Sequence, residues 1–150
     1  MRRVVASLAA VLALSVAPFA PAQSDCAPSR PDMLGPFYTP NAPERDRTGR
    51  GIVVSGAVRS TRGCAPLPGA RLEWWSADTR GEYKDALRAT QRADAQGHYR
   101  YETESPGRYP GRPPHLHVRI TAPGHRPLVT QLYPKPAETT LAADFVLIAD

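Results

Sequence analysis

Apolar and polar positions alternate with a period of two in several short stretches, each bounded by turn-forming residues. Ile52, Val54, Gly56 and Val58 alternate with smaller or polar neighbours, which predicts a strand. Arg62-Gly63-Cys64-Ala65-Pro66 then turns the chain, and residues 70–75 alternate again with two tryptophans, giving a second strand. Residues 76–96 are polar, with Gly81 and Gly97 as punctuation, and read as a long loop with a helical turn over 85–90. Loops of that length in a small domain are usually functional. His98–Thr103 places Tyr99, Tyr101 and Thr103 on one face of a third strand, and 105–114 is a Pro/Gly loop. Strands follow at 115–121, 128–133 and 143–148. Six short strands without an ordinary helix predict an all-β fold over residues 51–150. The expected architecture is an antiparallel β-sandwich with long functional loops. Residues 23–50, rich in Pro, Asp, Arg and Asn and without a period, read as an extended N-terminal arm over the domain. Its apolar anchor is Gly35-Pro36-Phe37-Tyr38.

Composition narrows the class. A chain of 150 residues allows one domain, and its 17 prolines and 11 glycines lack the Gly-X-Y period of collagen. Prolines at this frequency also oppose long helices, each interior one costing about 3 kcal/mol. Arg2 and Arg3 precede an apolar run over 4–20 and the small-residue pattern Ala20-Pro21-Ala22, so residues 1–22 are expected to be a cleaved secretory signal. Ser7, Ser15 and Pro18 interrupt that run, which argues against a membrane anchor, and no other segment reaches about 20 apolar residues. The expected location is secreted or periplasmic, with no stable membrane association after cleavage. Removing Arg2 and Arg3 lowers the formal charge from +5 to +3, and the remaining basic residues are scattered singly, which excludes nucleic acid as the expected partner. The two cysteines, Cys26 and Cys64, are expected to pair in an oxidising compartment, with two free thiols as the alternative. Closing that loop is worth about 3–4 kcal/mol in the chain-entropy model.

His115-Leu116-His117 carries the sharpest chemical signal. On a strand, residues two apart share a face, so both imidazoles project together while Leu116, Val118 and Ile120 face a core. Paired imidazoles of this kind are metal-ligand candidates, against the alternative of two histidines on a solvated face. Tyr109 and Arg112 lie just upstream in a rigid Pro/Gly loop, and Tyr83 and Tyr38 are further candidates. Phenol oxygen becomes a hard anionic donor only on losing a proton whose ordinary pKa is about 10, so tyrosines favour a strongly Lewis-acidic ion, ferric iron before zinc. Taken singly, each tyrosine is equally a half-buried packing residue.

In chain order, Gly35-Pro36-Phe37-Tyr38, Gly56-Ala57-Val58, Pro68-Gly69-Ala70, Trp75-Ser76-Ala77-Asp78 with Gly81-Glu82-Tyr83, residues 106–117 and Thr130-Gln131-Leu132-Tyr133 resemble the intradiol ring-cleavage dioxygenases over about residues 34–148. The family includes protocatechuate- and catechol-cleaving enzymes. The resemblance implies a non-haem Fe(3+) enzyme that uses O2 to cleave catechols between the two hydroxyl-bearing carbons, giving muconate-type diacids. It implies Tyr83, Tyr109, His115 and His117 as iron ligands, Tyr109 also releasing the metal to accept a substrate proton, Arg112 beside the attacked ring, Gln131 in the pocket and Tyr38 at its mouth. The loop from Tyr109 to His115 is shorter than in the large protocatechuate-cleaving members, and no helical domain precedes the sandwich as in the catechol-cleaving dimers. Two other readings share parts of the pattern. Transthyretin-like and carboxypeptidase-regulatory sandwiches, which bind and do not catalyse, share the segments at 56–58 and 68–70. A small secreted Zn- or Cu-binding protein would use His115 and His117 with His98 or His125.

Overall fold

The computed structural model describes residues 26–150, and the expected signal segment at 1–22 lies outside them. Eight strands form: β1 (Ile52–Ser60), β2 (Arg71–Ala77), β3 (Tyr83–Arg92), β4 (His98–Thr103), β5 (Leu116–Thr121), β6 (Leu128–Leu132), β7 (Thr140–Ala142) and β8 (Phe145–Leu147). No helix forms among the described residues. One sheet runs β4-β1-β7, with β8 also on β1, and the other runs β3-β2-β5-β6. The two sheets close on a core in which Leu72 and Trp74 of β2, Leu116, Val118 and Ile120 of β5, and Tyr99 and Tyr101 of β4 are buried. The sandwich and its period-two faces are those expected from the sequence.

Two regions differ from that expectation. Residues 83–92 form strand β3, antiparallel to β2, instead of a loop with a helical turn. Its inward face carries Leu87 and Ala89, but on its outward face Arg88 and Thr90 are buried by hydrogen bonds, not by apolar contact. Arg88 Nη1 donates to the Phe37 carbonyl (2.6 Å) and Thr90 Oγ1 to that of Ala42 (2.8 Å). Polar side chains satisfied by backbone leave no hydrophobic alternation to read. The second difference is that β7 and β8 pair with β1 in parallel, within an otherwise antiparallel fold. The chain reaches β7 beside the start of β1, Val53 facing Thr140, and so runs alongside β1 in the same direction.

The arm covers the outer face of the β3-β2-β5-β6 sheet. Its first residue in the structure, Cys26, is joined to Cys64 across a separation of 38 residues. Asp32 N–H then donates to the Val129 carbonyl (2.8 Å), and on β3 Thr90 N–H donates to the Pro43 carbonyl of the arm (2.9 Å) while the Thr90 carbonyl accepts from Arg45 N–H (2.9 Å). Beneath the arm, in-register pairing aligns Arg88, Trp75, His117 and Gln131 in one row across the four strands. Such a row is one side of one sheet, and all four residues are buried.

Trp74 fills the middle of the core, 1% exposed, stacked on Tyr101 at 4.8 Å and donating its indole N–H to Gln91 (2.8 Å). Trp74→Ala is therefore expected to cost about 3–5 kcal/mol, read as a lower denaturation midpoint at unchanged slope. A loss below 1 kcal/mol would mean that this ring is not central to the packing.

Candidate metal centre

Three potential donor atoms meet on the covered face. Tyr83 Oη lies 3.1 Å from His115 Nε2 and 3.1 Å from His117 Nε2, and the two Nε2 atoms are 3.0 Å apart. The histidines are not on a solvated face: His115 is 5% and His117 3% exposed. His115 Nδ1 sits 2.7 Å from the Pro113 carbonyl, which can only accept, so this nitrogen carries the proton and the neutral ring turns its Nε2 lone pair toward the other two atoms. His117 is held by ring packing, Trp75 stacking on it at 4.8 Å and 9°, and its Nδ1 is buried without a hydrogen-bond partner among the described residues. The arm crosses directly above, with Gly35 in the left-handed region at φ 73°. A Cβ at Gly35 would stand 3.1 Å from His117 Cε1, so only glycine fits both the turn and the clearance.

Two turns deliver the tyrosines. Asp78 ends β2 and gathers the turn before Tyr83, its Oδ1 accepting from Arg80 N–H (2.9 Å) and Glu82 N–H (3.0 Å), with Lys84 as its ion-pair partner. The Asp78 carbonyl accepts from Gly107 N–H (2.8 Å), which ties this turn to the loop leading to Tyr109. A Cβ at Gly81 (φ 88°) would lie 2.2 Å from the Arg108 carbonyl oxygen, and one at Gly107 would lie 2.4 Å from that of Thr79. The spacing of Asp78, Gly81 and Tyr83 thus serves two backbones in contact. Tyr109 and Arg112 then enter the pocket from a turn closed by Arg112 N–H to the Tyr109 carbonyl (2.9 Å).

The pocket, about 150 Å³, is lined by Met33, Pro36 and Phe37 of the arm and by Tyr83, Tyr109, Arg112, His115, His117 and Gln131. Phe37 stacks on Tyr83 at 4.2 Å, and Tyr109 meets both rings edge-on, at 5.4 Å from Phe37 and 5.9 Å from Tyr83. Arg112 Nη2 donates to Gln131 Oε1 (2.8 Å) and to Tyr133 Oη (2.9 Å). Gln131 Nε2 donates to the Met33 carbonyl (2.6 Å) and Tyr133 Oη to Asp32 (2.8 Å). The guanidinium is fixed before any ligand arrives.

Electrostatics favour a cation among the donors. Burial, and then the neighbouring Tyr109, push the Tyr83 phenol up to about 12. Burial, followed by the nearby His115 and Arg112, brings His117 down to about 4; the Met33 carbonyl and Asp32 oppose this only in part. Two imidazole nitrogens and a phenol oxygen within 3.0–3.1 Å of one another are close enough to converge on one ion, and a phenol and imidazole set suits a hard, highly charged ion better than zinc.

Of the residues singled out in the sequence, Tyr83, Tyr109, His115, His117, Arg112 and Gln131 come together. Tyr38 does not reach the pocket: its hydroxyl donates to Glu73 (3.1 Å) and its ring meets Trp75 edge-on, while Phe37 takes the place at the pocket wall. His98 stands beside Asp94, and His125 is bonded to Ser60 (2.9 Å), so neither supplies a third imidazole. Tyr133, Asp32 and Trp75 were not given site roles; Tyr133 and Trp75 had a signal, their places in the Thr130-Gln131-Leu132-Tyr133 and Trp75-Ser76-Ala77-Asp78 motifs, and Asp32 had none.

The fold and site define a β-sandwich with a covered cluster of two histidines and a tyrosine whose donor atoms suit a metal ion. The dioxygenase family model (Dioxygenase_C) matches residues 35–149. Catechol 1,2-dioxygenase of Candida albicans is 31% identical, the match covering 67% of this chain and 45% of that protein. Hydroxyquinol 1,2-dioxygenase of Corynebacterium glutamicum is 34% identical, with 67% and 44% covered. Among solved structures, the dioxygenase domain of a dioxygenase carbohydrate-binding protein fusion from Streptomyces sp. SirexAA-E superposes with a TM-score of 0.75 at 33% identity. It covers 83% of this chain and 100% of that one. The chain belongs to the intradiol ring-cleavage dioxygenase family, and membership implies non-haem iron. It spans about half the length of the curated relatives it matches. The binding-sandwich and zinc or copper readings are not favoured by these comparisons.

His117 makes the metal-free protein pH-sensitive. Its folded pKa of about 4 lies below the ordinary 6.5, so between these values the unfolded chain binds the extra proton. Stability from this group is complete above about pH 6.5 and is lost as pH falls toward 4. Thermal melts of metal-free protein across this interval should show that decline, and His117→Gln should flatten it. Equal slopes in both proteins would contradict the assignment.

Proposed function

We propose that this chain is an intradiol dioxygenase that cleaves single-ring catechols between their hydroxyl-bearing carbons with O2. The observation that carries the proposal is the meeting of Tyr83, His115 and His117 at 3.0–3.1 Å in a pocket that also holds Tyr109 and Arg112. Tyr83, Tyr109, His115 and His117 would hold the iron. Bound there in the ferric state, the iron would supply a Lewis acid that a catechol dianion can chelate and that would make a ring carbon reactive toward oxygen.

The residues divide the remaining work. Tyr83 is held by Phe37 and by both imidazoles and stays in place, its high pKa making ionisation conditional on a cation nearby. Tyr109 makes no hydrogen bond through its hydroxyl among the described residues and sits in a Gly/Pro turn. It is therefore the phenol able to move aside and accept a substrate proton at Oη. Arg112, fixed by Gln131 and Tyr133, presents a stationary positive charge where negative charge develops on the ring. Phe37, Pro36 and Met33 exclude water above the ring, and the pocket volume suits one aromatic nucleus. An exported location is part of the proposal, supported by the leader pattern at 1–22 and by the Cys26–Cys64 disulfide.

The test is oxygen uptake with catechol by iron-loaded protein. One O2 consumed per muconate formed is the expected stoichiometry. Arg112→Lys should retain iron and lower kcat about 100-fold, because an ammonium held by Gln131 and Tyr133 has no second and third nitrogen of a planar guanidinium to present to the ring. Tyr109→Phe should also lower kcat. Full activity in both variants, or an extradiol product, would overturn the proposal.

A further inference from the structure

The loop that carries Tyr109 and Arg112 lines an open cleft of its own over residues 108–113 and also borders two further cavities. Tyr109 and Arg112 line the metal pocket, whereas their immediate neighbours Arg108 and Pro113 line a separate groove of about 420 Å³. Pro106, Pro113, Pro114, Pro134 and Pro136 build the walls of this groove. Pyrrolidine rings are rigid, so covering them costs no side-chain rotamer entropy, and their flat C–H faces complement the electron-rich face of an aromatic ring.

The charge of the groove is specific. Arg108 and Lys135 lie at it, both exposed and neither paired with an acid among the described residues. Its one carboxylate, Glu138, accepts the Lys135 backbone N–H (2.8 Å), and with two cations against this one anion the groove keeps an excess positive charge. Ala137, between these residues, is held at φ 63°, a conformation unfavourable for any residue with a side chain. That strain gives the 134–139 turn a fixed shape at the groove, of the kind found where structure is maintained for binding. No aromatic side chain lines the groove, which argues against a sugar ring as the occupant.

We propose that this groove is a binding site for a planar aromatic carboxylate, distinct from the metal pocket: the ring lies on the proline faces and the carboxylate meets Arg108 and Lys135. The volume accommodates a substituted single ring. A ligand there would contact the backbone on which Tyr109 and Arg112 are mounted.

The probe is 4-methoxybenzoate, which has no vicinal diol and so is neither a catechol chelator nor a cleavable substrate. Isothermal titration of the whole protein should show saturable binding. It should be at least about tenfold weaker for the uncharged 4-methoxybenzyl alcohol, and weaker by a similar factor in the double variant Arg108→Gln, Lys135→Gln. Lys135→Glu alone, at an exposed position, should likewise weaken binding of the carboxylate relative to the alcohol and keeps the test valid if the double variant folds poorly. Absence of saturable binding, equal affinity for the alcohol, unchanged affinity in the variants, or preferential binding of cellotriose would each overturn the assignment. The readout requires neither iron nor turnover, so its failure is distinguishable from failure of the dioxygenase proposal.

Discussion

A sheet that buries both faces needs two covers, and in this protein the second cover is an arm without regular structure. The β3-β2-β5-β6 sheet gives its inner face to the sandwich core and its outer face to residues 26–50. On that outer face the in-register row of Arg88, Trp75, His117 and Gln131 is polar at three of four positions. Burying such a row is costly unless each polar group finds a partner. The arm supplies two of them, the Phe37 carbonyl for Arg88 and the Met33 carbonyl for Gln131, while Gly35 is laid over His117, whose Nδ1, like Trp75 Nε1, is buried without a hydrogen-bond partner among the described residues. The same strip of chain that satisfies the sheet forms the pocket roof, so dry walls and metal donors arise together. The neighbouring buried carboxylate, Glu73, is likewise matched by Arg119 (2.6 Å), Arg71 (3.1 Å) and Tyr38 of the arm.

The phenols depend on a second constraint, the contact of two loop backbones. Asp78 organises one turn and receives Gly107 of the other, and glycines at 81 and 107 allow the approach. Tyr83 continues directly into β3 and is rigidly placed, while Tyr109 leaves on a turn with no hydroxyl partner among the described residues. Two residues of one type thereby acquire different freedom.

Much of this was legible in the sequence where side-chain period reports burial. β1, β2, β4, β5 and β6 show alternation, and the spacing of His115 and His117 placed both on one face with Leu116 and Val118 opposed. β3 was not legible, because Arg88 and Thr90 are buried by arm carbonyls 45 or more residues away in the chain. The parallel edge pairing of β7 and β8 depends on where the chain returns, which local pattern does not encode. Phe37 and Tyr38 show the limit most clearly. In extended chain, neighbours point to opposite sides, and only the seating of the arm decides that Phe37 enters the pocket while Tyr38 turns to Glu73. Tyr133 and Asp32 act on Arg112 through tertiary contacts alone.

The central claim is that a phenolate and two imidazoles of this covered face hold one ferric ion. Ferric titration of the metal-free protein, followed in the visible range, tests it most directly. The expected result is one ion per chain with a tyrosinate-to-iron charge-transfer band that is lost or strongly weakened in Tyr83→Phe. A colourless protein that takes up no stoichiometric iron, or a band unchanged by that substitution, would contradict it.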